Sequence, residues 1–145
     1  MPNNLPGLTL VVRRSIRASA ERLFDAWTRP EQLVQWWGPQ GAHCPHAEVD
    51  LRVGGSYRIG NRFGDGAIVW IGGRFEAIER PRRLVYSWTI EPADSAERVT
   101  VSFDERDGVT EVVLVHERIA DAPSRDQHEQ GWNGCLDGLV DYLSA

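Results

Sequence analysis

From Leu8 to Arg17 apolar and polar residues alternate, with Leu10, Val12, Arg14 and Ile16 on one face and Thr9, Val11, Arg13, Ser15 and Arg17 on the other. That period of two predicts a strand. The period then changes: Ser19 stands as an N-cap ahead of Leu23, Phe24 and Trp27 at helical spacing, and Pro30 ends the helix. Glu31 to Trp37 gives a second short helix with Leu33, Val34 and Trp37 as its apolar side, stopped by Gly38-Pro39. Gln40 to His46 reads as a loop. Beyond it, Ala47–Val53, Ser56–Phe63, Ala67–Ile78, Arg83–Ile90, Glu97–Asp104 and Thr110–Ile119 are rich in Val, Ile, Trp, Tyr and Phe, as strands are. Between them lie Gly54-Gly55, Gly64-Asp65-Gly66, Arg80-Pro81, Pro92-Ala93-Asp94 and Asp107-Gly108, short turns suited to antiparallel neighbours. Gly72-Gly73, inside the fourth strand, reads as a bulge or bend that curves the sheet.

The last segment, Ser124 to Leu143, returns to a helical period. On a wheel centred on Trp132, the residues His128, Cys135, Leu136, Leu139 and Leu143 share one stripe, and Gln130, Asn133, Asp137 and Asp141 lie opposite. Ser124 and Gln127 have the spacing of a capping box, with Pro123 close by. Gly131, Gly134 and Gly138 project to one flank and each costs about 1 kcal/mol relative to Ala in a helix interior. A close approach there is expected, either by another element's backbone or by a ligand beside Trp132.

A long curved antiparallel sheet must cover one face, and only the last helix is long enough. The predicted class is therefore α+β: a seven-stranded curved antiparallel sheet wrapped around a long C-terminal helix, with two short helices after the first strand. Residues 1–7 form a loose tail and residues 8–145 one domain. A cavity between helix and sheet follows from the geometry, because such a wrap is hard to fill.

Composition narrows the function. The 145 residues are 41% hydrophobic and 26% charged, ordinary for a globular domain. No run approaches a membrane span, and Met1 to Gly7 lacks the regions of a signal peptide, so a cytoplasmic protein without membrane contact is expected. All 16 basic residues are Arg, the net charge is -5, and there is no basic patch beyond Arg13-Arg14 and Arg80 to Arg83, which argues against nucleic acid. Cys44 and Cys135 form no CxxC pair, so neither a disulfide framework nor a zinc ribbon is indicated.

No GxSxG elbow, phosphate loop, dinucleotide fingerprint or HExxH occurs, and no cofactor is implied. His43-Cys44-Pro45-His46 fits no standard metal spacing and reads as a polar loop, so no metal is expected. The candidates for a ligand site are the groups that the fold aims inward: the aromatics Trp37, Tyr57, Trp70, Tyr86, Trp88, Phe103 and Trp132, with His116 in phase with Val112 and Leu114, and His128 one turn before Trp132. Each aromatic can also be plain core, and each histidine a satisfied structural group. Arg14 on the inward face needs a partner carboxylate or a wet cavity. A salt-bridged structural role is the simpler reading, and a polar anchor for a ligand the alternative. Glu48 and Asp50 share a face expected to meet solvent, with Val49 and Leu51 inside.

In order along the chain, Arg14-Ser-Ile-Arg-Ala18, Leu23-Phe-Asp-Ala-Trp-Thr-Arg-Pro-Glu31, Trp36-Trp37-Gly38-Pro39, Val49-Asp-Leu-Arg-Val-Gly-Gly-Ser-Tyr57, Gly73-Arg-Phe-Glu-Ala-Ile-Glu-Arg-Pro81, Leu84-Val-Tyr-Ser-Trp88, Thr110-Glu-Val-Val-Leu-Val-His-Glu117 and His128-Glu-Gln-Gly-Trp132 resemble the START-like helix-grip domains. The resemblance is to the branch named after the activator of the Hsp90 ATPase and grouped with polyketide cyclases. It implies the helix-grip fold and an internal cavity that binds an apolar small molecule in many relatives; fold alone does not fix function. Three readings follow. The first is a carrier, sensor or sequestering protein for an apolar, aromatic ligand. The second is a cyclase or dehydratase-type enzyme using His116 or His128 as acid/base, with Arg14 or Tyr57 holding an oxygen. The third, ranked last, is an Hsp90 co-chaperone, since relatives with that activity are typically larger and carry an additional N-terminal domain. Either a monomer or a homodimer fits the sequence.

Overall fold

The computed structural model describes residues 7–38, 42–91 and 97–144. The expected tail, apart from Gly7, and the turn at Pro92-Ala93-Asp94 lie outside the described residues. Strand β1 (Leu8–Ile16) is followed by helices α1 (Ala20–Thr28) and α2 (Pro30–Trp36). Then come strands β2 (Ala42–Val49), β3 (Ser56–Phe63), β4 (Ile68–Glu79), β5 (Arg83–Ile90), β6 (Glu97–Arg106) and β7 (Val109–Ile119), and finally helix α3 (Ala122–Ser144). The seven strands form one antiparallel sheet in the order β1-β7-β6-β5-β4-β3-β2. This is the α+β helix-grip arrangement that the sequence implied.

Local chemistry explains most boundaries. The Ser19 side chain accepts the Arg22 backbone N–H at 3.1 Å and so caps α1, and Pro30 opens α2 where no N–H is needed. Asp107 and Gly108 both have positive φ, 55° and 80°, between the paired Arg106 and Val109. That is the two-residue hairpin turn whose twist matches the strands.

Three boundaries differ from the sequence reading. The segment from Ala42 to His46, expected as loop, is the first half of β2, and Leu51 to Val53 are exposed turn residues. Burial alternates in this edge strand on either side of a register shift between His43 and His46, which breaks the period, and its exposed His43, Pro45 and His46 give no strand signal in the sequence. Helix α3 begins at Ala122, and its cap is Asp121, whose carboxylate accepts the Ser124 N–H at 2.9 Å; Ser124 is not the cap. The β4–β5 irregularity lies between Phe75 and Ala77. Gly73 is needed instead for close approach, since a side chain there would collide with the Ser87 carbonyl.

The core lies between the concave face of the sheet and the three helices. Leu23, Phe24 and Trp27 of α1, Leu33 and Trp36 of α2, and Trp132, Cys135, Leu136 and Leu139 of α3 are buried against Leu10, Val12, Val99, Val101, Phe103, Val112 and Leu114 of the strands. Fully burying one such side chain contributes about 1.5–3 kcal/mol. The close approach predicted on the α3 glycine flank is made at Gly138 by backbone, because a Cβ there would sit 2.7 Å from the Trp36 carbonyl oxygen.

Candidate functional site

Register sets the site. Tyr86, Val99, His116 and Leu10 are successive cross-strand partners, and Trp88 with Glu97 forms the next rung. Because strand side chains alternate, Glu97 shares the concave face with Val99, Val101 and Phe103, and His116 shares it with Val112 and Leu114. Helix α3 lays His128 and Trp132 over this corner.

The polar groups there form a chain with a determined proton order. The Trp132 indole, a donor only, gives its N–H to His116 Nδ1 at 3.0 Å. His116 Nδ1 must therefore hold a lone pair and Nε2 the proton, which is donated to Glu97 Oε1 at 2.6 Å. His128 Nε2 lies 3.4 Å from the same oxygen, and its ring stacks on His116 at 4.5 Å with an interplanar angle of 23°. Burial lowers the His116 pKa, and the nearby His128 charge acts in the same direction against the pull of Glu97. Burial also opposes ionisation of Glu97, but hydrogen bonds from His116 and His128 outweigh it and hold the carboxyl at about 2. At neutral pH the cluster is thus a carboxylate serving a neutral, fully buried His116.

Glu97, His116 and His128 bring their ligand atoms within 4.8 Å of one another, a possible carboxylate and two-imidazole set for a metal. Trp132 disfavours that use. Ligation through His116 Nε2 would move the proton to Nδ1, where it would face the indole N–H, donor against donor.

Trp37 lines several cavities, and two of them are walled by the inward aromatics. One is a void of about 20 Å³ between Trp27, Leu33, Trp37, Val49, Tyr57, Ile59, Phe75 and Tyr86, room for about one water molecule. Apart from Trp37, polar groups of its walls meet protein partners: Tyr57 Oη donates to the Ser87 carbonyl at 2.7 Å and Trp27 Nε1 to Tyr86 Oη at 3.2 Å. Burial raises the pKa of both tyrosines, keeping them neutral.

The other is a cleft of about 330 Å³ walled by Trp37, Asn61, Ile71, Trp88, Ile90, His128, Trp132 and Cys135, with Phe63, Val69 and Gln127 also lining it. Phe63 and Val69 are exposed. Trp37 meets Trp132 edge to face at 5.4 Å, and Trp88 lies 5.1 Å from Trp132 and 5.3 Å from His116. Trp37 Nε1, Trp88 Nε1 and Asn61 Oδ1 are buried with no hydrogen-bond partner among the described residues. Leaving such a group unsatisfied costs about 1–3 kcal/mol, and this cleft is lined by all three of them. Burial pushes the Cys135 thiol up to about 12, so it is no nucleophile.

The predicted site residues therefore divide. Trp37, Trp88, His128 and Trp132 meet at the cleft, with His116 directly behind. Tyr57 and Tyr86 belong to the small void, and Phe103 packs under α1 against Phe24 and Trp27 at 6.2 and 5.8 Å. Trp70 cannot line the cavity. It covers Gly60 on the opposite face of the sheet, stacked 3.9 Å from the Arg58 guanidinium and near His46. β4 is apolar on both faces around Val69, Trp70 and Ile71, so alternation assigns no phase there. Arg14 is no ligand anchor: it pairs with Asp137 of α3 at 2.8 Å and reaches Asn133, away from the cleft. Glu48 and Asp50 are exposed, as expected, but so is Leu51. The sequence reading missed Glu97 and Asn61. Both were visible as polar residues in phase with buried apolar ones, Glu97 with Val99 and Val101, and Asn61 with Tyr57 and Ile59.

Residues 17–144 match the family described as activator of Hsp90 ATPase homolog 1-like protein. No curated protein matches the sequence. Among solved structures, protein CV1439 from Chromobacterium violaceum superposes with a TM-score of 0.86 at 26% identity, over 94% of this chain and 97% of that one. An Hsp90 activator from Plasmodium falciparum, PFC0360w, gives 0.77 at 24% identity, over 95% of this chain and 97% of that one. DynU16, a protein in the dynemicin biosynthetic locus, gives 0.79 at 21% identity, over 94% of this chain and 47% of that one, so this chain spans about half its length. The last two likenesses are likenesses of fold.

Proposed function

This chain belongs to the activator of Hsp90 ATPase homolog 1-like family, and from that premise we propose that it binds a small aromatic molecule bearing an acceptor oxygen in the cleft between α3 and the sheet, as a carrier, sensor or sequestering protein. One observation supports this above the rest: Trp37, Trp88 and Asn61, whose buried Nε1, Nε1 and Oδ1 atoms, two donors and one acceptor, have no hydrogen-bond partner among the described residues, line a mostly apolar, aromatic-walled space. Buried polar groups are normally satisfied; a ligand carbonyl oxygen would accept from the indole N–H groups, and a phenolic O–H would also donate to Asn61 Oδ1. The volume is near the lower end of the roughly 300–1,000 Å³ usual for small-molecule sites, which suits a bicyclic ring system.

The test is a fluorescence titration with naphthalene, coumarin and 2-naphthol, read by quenching of the tryptophans. Coumarin and 2-naphthol should bind at least tenfold more tightly than naphthalene, and Trp88→Phe should remove most of that advantage. Equal affinities for all three would reduce the site to a greasy slot, and no binding by any would refute the reading.

A second reading rests on the structural likeness to an Hsp90 activator. That solved chain is covered over 97% of its length, so the size argument against a chaperone role has no force for it. Stimulation of Hsp90 ATPase turnover by the purified protein would support this reading, and an unchanged rate at a large excess would remove it.

A further inference from the structure

The cleft holds more than rings and unpartnered polar atoms; one of its walls is a histidine held against an ionised carboxylate. His128 lines the cleft, and its Nε2 lies 3.4 Å from Glu97 Oε1. A neutral His128 that donates Nε2–H to that oxygen carries its lone pair on Nδ1, the tautomer of a general base. Glu97 is fixed in turn by His116, and His116 by Trp132, through hydrogen bonds of 2.6 and 3.0 Å. The chain of partners ends in a buried indole, so the carboxylate is held from behind and His128 is the member next to the cleft. Beside it stands Trp88, whose ring meets the His128 ring edge to face at 6.3 Å and 89° and whose buried N–H has no partner among the described residues. A base and an unpartnered N–H donor on one cavity are the two parts that proton abstraction next to a carbonyl requires, the donor to hold the oxygen on which charge develops.

We propose that the cleft is a proton-transfer site for aromatic ketones and related carbonyl compounds, with His128 as the catalytic base and the Trp88 indole N–H as oxyanion donor. The proposal rests on the binding reading above. In the step, the C–H bond beside the carbonyl breaks and its proton passes to His128. The electron pair moves through the carbon–carbon bond onto the carbonyl oxygen, giving an enolate hydrogen-bonded to the indole. Return of a proton from His128 to the same carbon restores the ketone, and return to a conjugated carbon isomerises it. No oxidant, reductant or second substrate is consumed. Glu97 acts as a positioning residue, orienting His128 and stabilising its protonated form. Cys135, its thiol held protonated, takes no part.

The experiment uses 2-tetralone in deuterium oxide, with proton NMR following loss of signal at the carbons flanking the carbonyl, and tryptophan quenching measuring binding in the same samples. The expected result is exchange at least 100-fold above the buffer rate at saturating protein. His128→Gln should lose that acceleration while binding 2-tetralone within about threefold of the wild type. His128→Ala should regain part of it on addition of imidazole, which a merely structural histidine would not do. Glu97→Gln should slow exchange more than it weakens binding. Bound 2-tetralone exchanging no faster than in buffer, or equally fast with His128→Gln, would overturn the proton-transfer role and leave the binding reading standing. Failure of 2-tetralone to bind, together with failure of coumarin, would overturn both.

Discussion

The two sides of Trp37 are built from the same residue types to opposite ends. Toward α1 and α2, aromatic rings close on one another and the polar tips of Trp27, Trp36 and Tyr57 find protein partners: Trp27 Nε1 on Tyr86 Oη, Trp36 Nε1 on the Ala26 carbonyl, Tyr57 Oη on the Ser87 carbonyl. What remains is a void of about 20 Å³. Toward the N-terminal half of α3 the rings of Trp37, Trp88 and Trp132 stand around about 330 Å³, and two of the three indoles have no partner among the described residues. The third, Trp132, holds the Glu97 and histidine cluster in place. One side uses tryptophan as core, the other as recognition surface. Satisfaction of the N–H distinguishes them, and burial does not: Trp27 and Trp88 are both 5% exposed.

The contrast can be broken by substitution. Trp27→Ala should cost about 3–5 kcal/mol of stability, as large aromatic truncations in packed cores do, with a urea midpoint shifted accordingly. A loss below about 1 kcal/mol would mean that this side is not close-packed. Tyr86→Phe keeps the ring but strands the Trp27 N–H, and should cost about 1–3 kcal/mol in the same assay.

Acid should act through the other side. His116 has a folded pKa below its ordinary 6.5, so as pH falls from 6.5 the unfolded chain takes up a proton that folded His116 resists, and stability declines. Glu97, held at about 2 against an ordinary 4.5, adds a further loss as pH falls below 4.5 toward 2. Urea midpoints measured across this range should fall with pH, and His116→Gln should flatten the upper part of the decline. A wild-type midpoint unchanged between pH 7 and 5 would contradict the buried neutral assignment.

The smallest stability effect is expected where function is expected. Asn61→Leu replaces a buried acceptor that lacks a protein partner with an apolar group of similar shape, and should be neutral or stabilising by up to about 1 kcal/mol. The affinity for 2-naphthol, whose O–H can donate to Asn61 Oδ1, should nonetheless fall about fivefold or more. A loss of stability above about 2 kcal/mol would show that Asn61 serves the fold instead.

The division between the two sides explains what the sequence could say. Period and turn chemistry gave the strands, because each of β3, β5, β6 and β7 pairs a buried row with turn residues at its ends. They failed on β2, an edge strand whose alternation is broken by a register shift between exposed His43 and His46. Period also brought His116, His128 and Trp132 to one corner. It could not separate core aromatics from cleft aromatics, since Tyr86 and Trp88 sit two apart on the same face of β5 and differ only in what lies above them. That difference is made by α2 and α3 packing across the sheet, a tertiary fact with no local signal. Glu97 and Asn61 were legible as polar residues in buried phase, a signal that points to a site more directly than another inward tryptophan does.

The central claim is that the cleft side is incomplete without a ligand. Native mass spectrometry of gently purified protein tests it most directly, before and after incubation with coumarin, 2-naphthol and 2-tetralone, with Asn61→Leu and Trp88→Phe measured alongside. The account predicts a one-to-one adduct with an oxygen-bearing aromatic molecule, carried from the cell or taken up on incubation, weakened by Trp88→Phe and, for 2-naphthol, also by Asn61→Leu. Wild-type protein that stays unliganded through all these incubations, or an adduct indifferent to both substitutions, would contradict it.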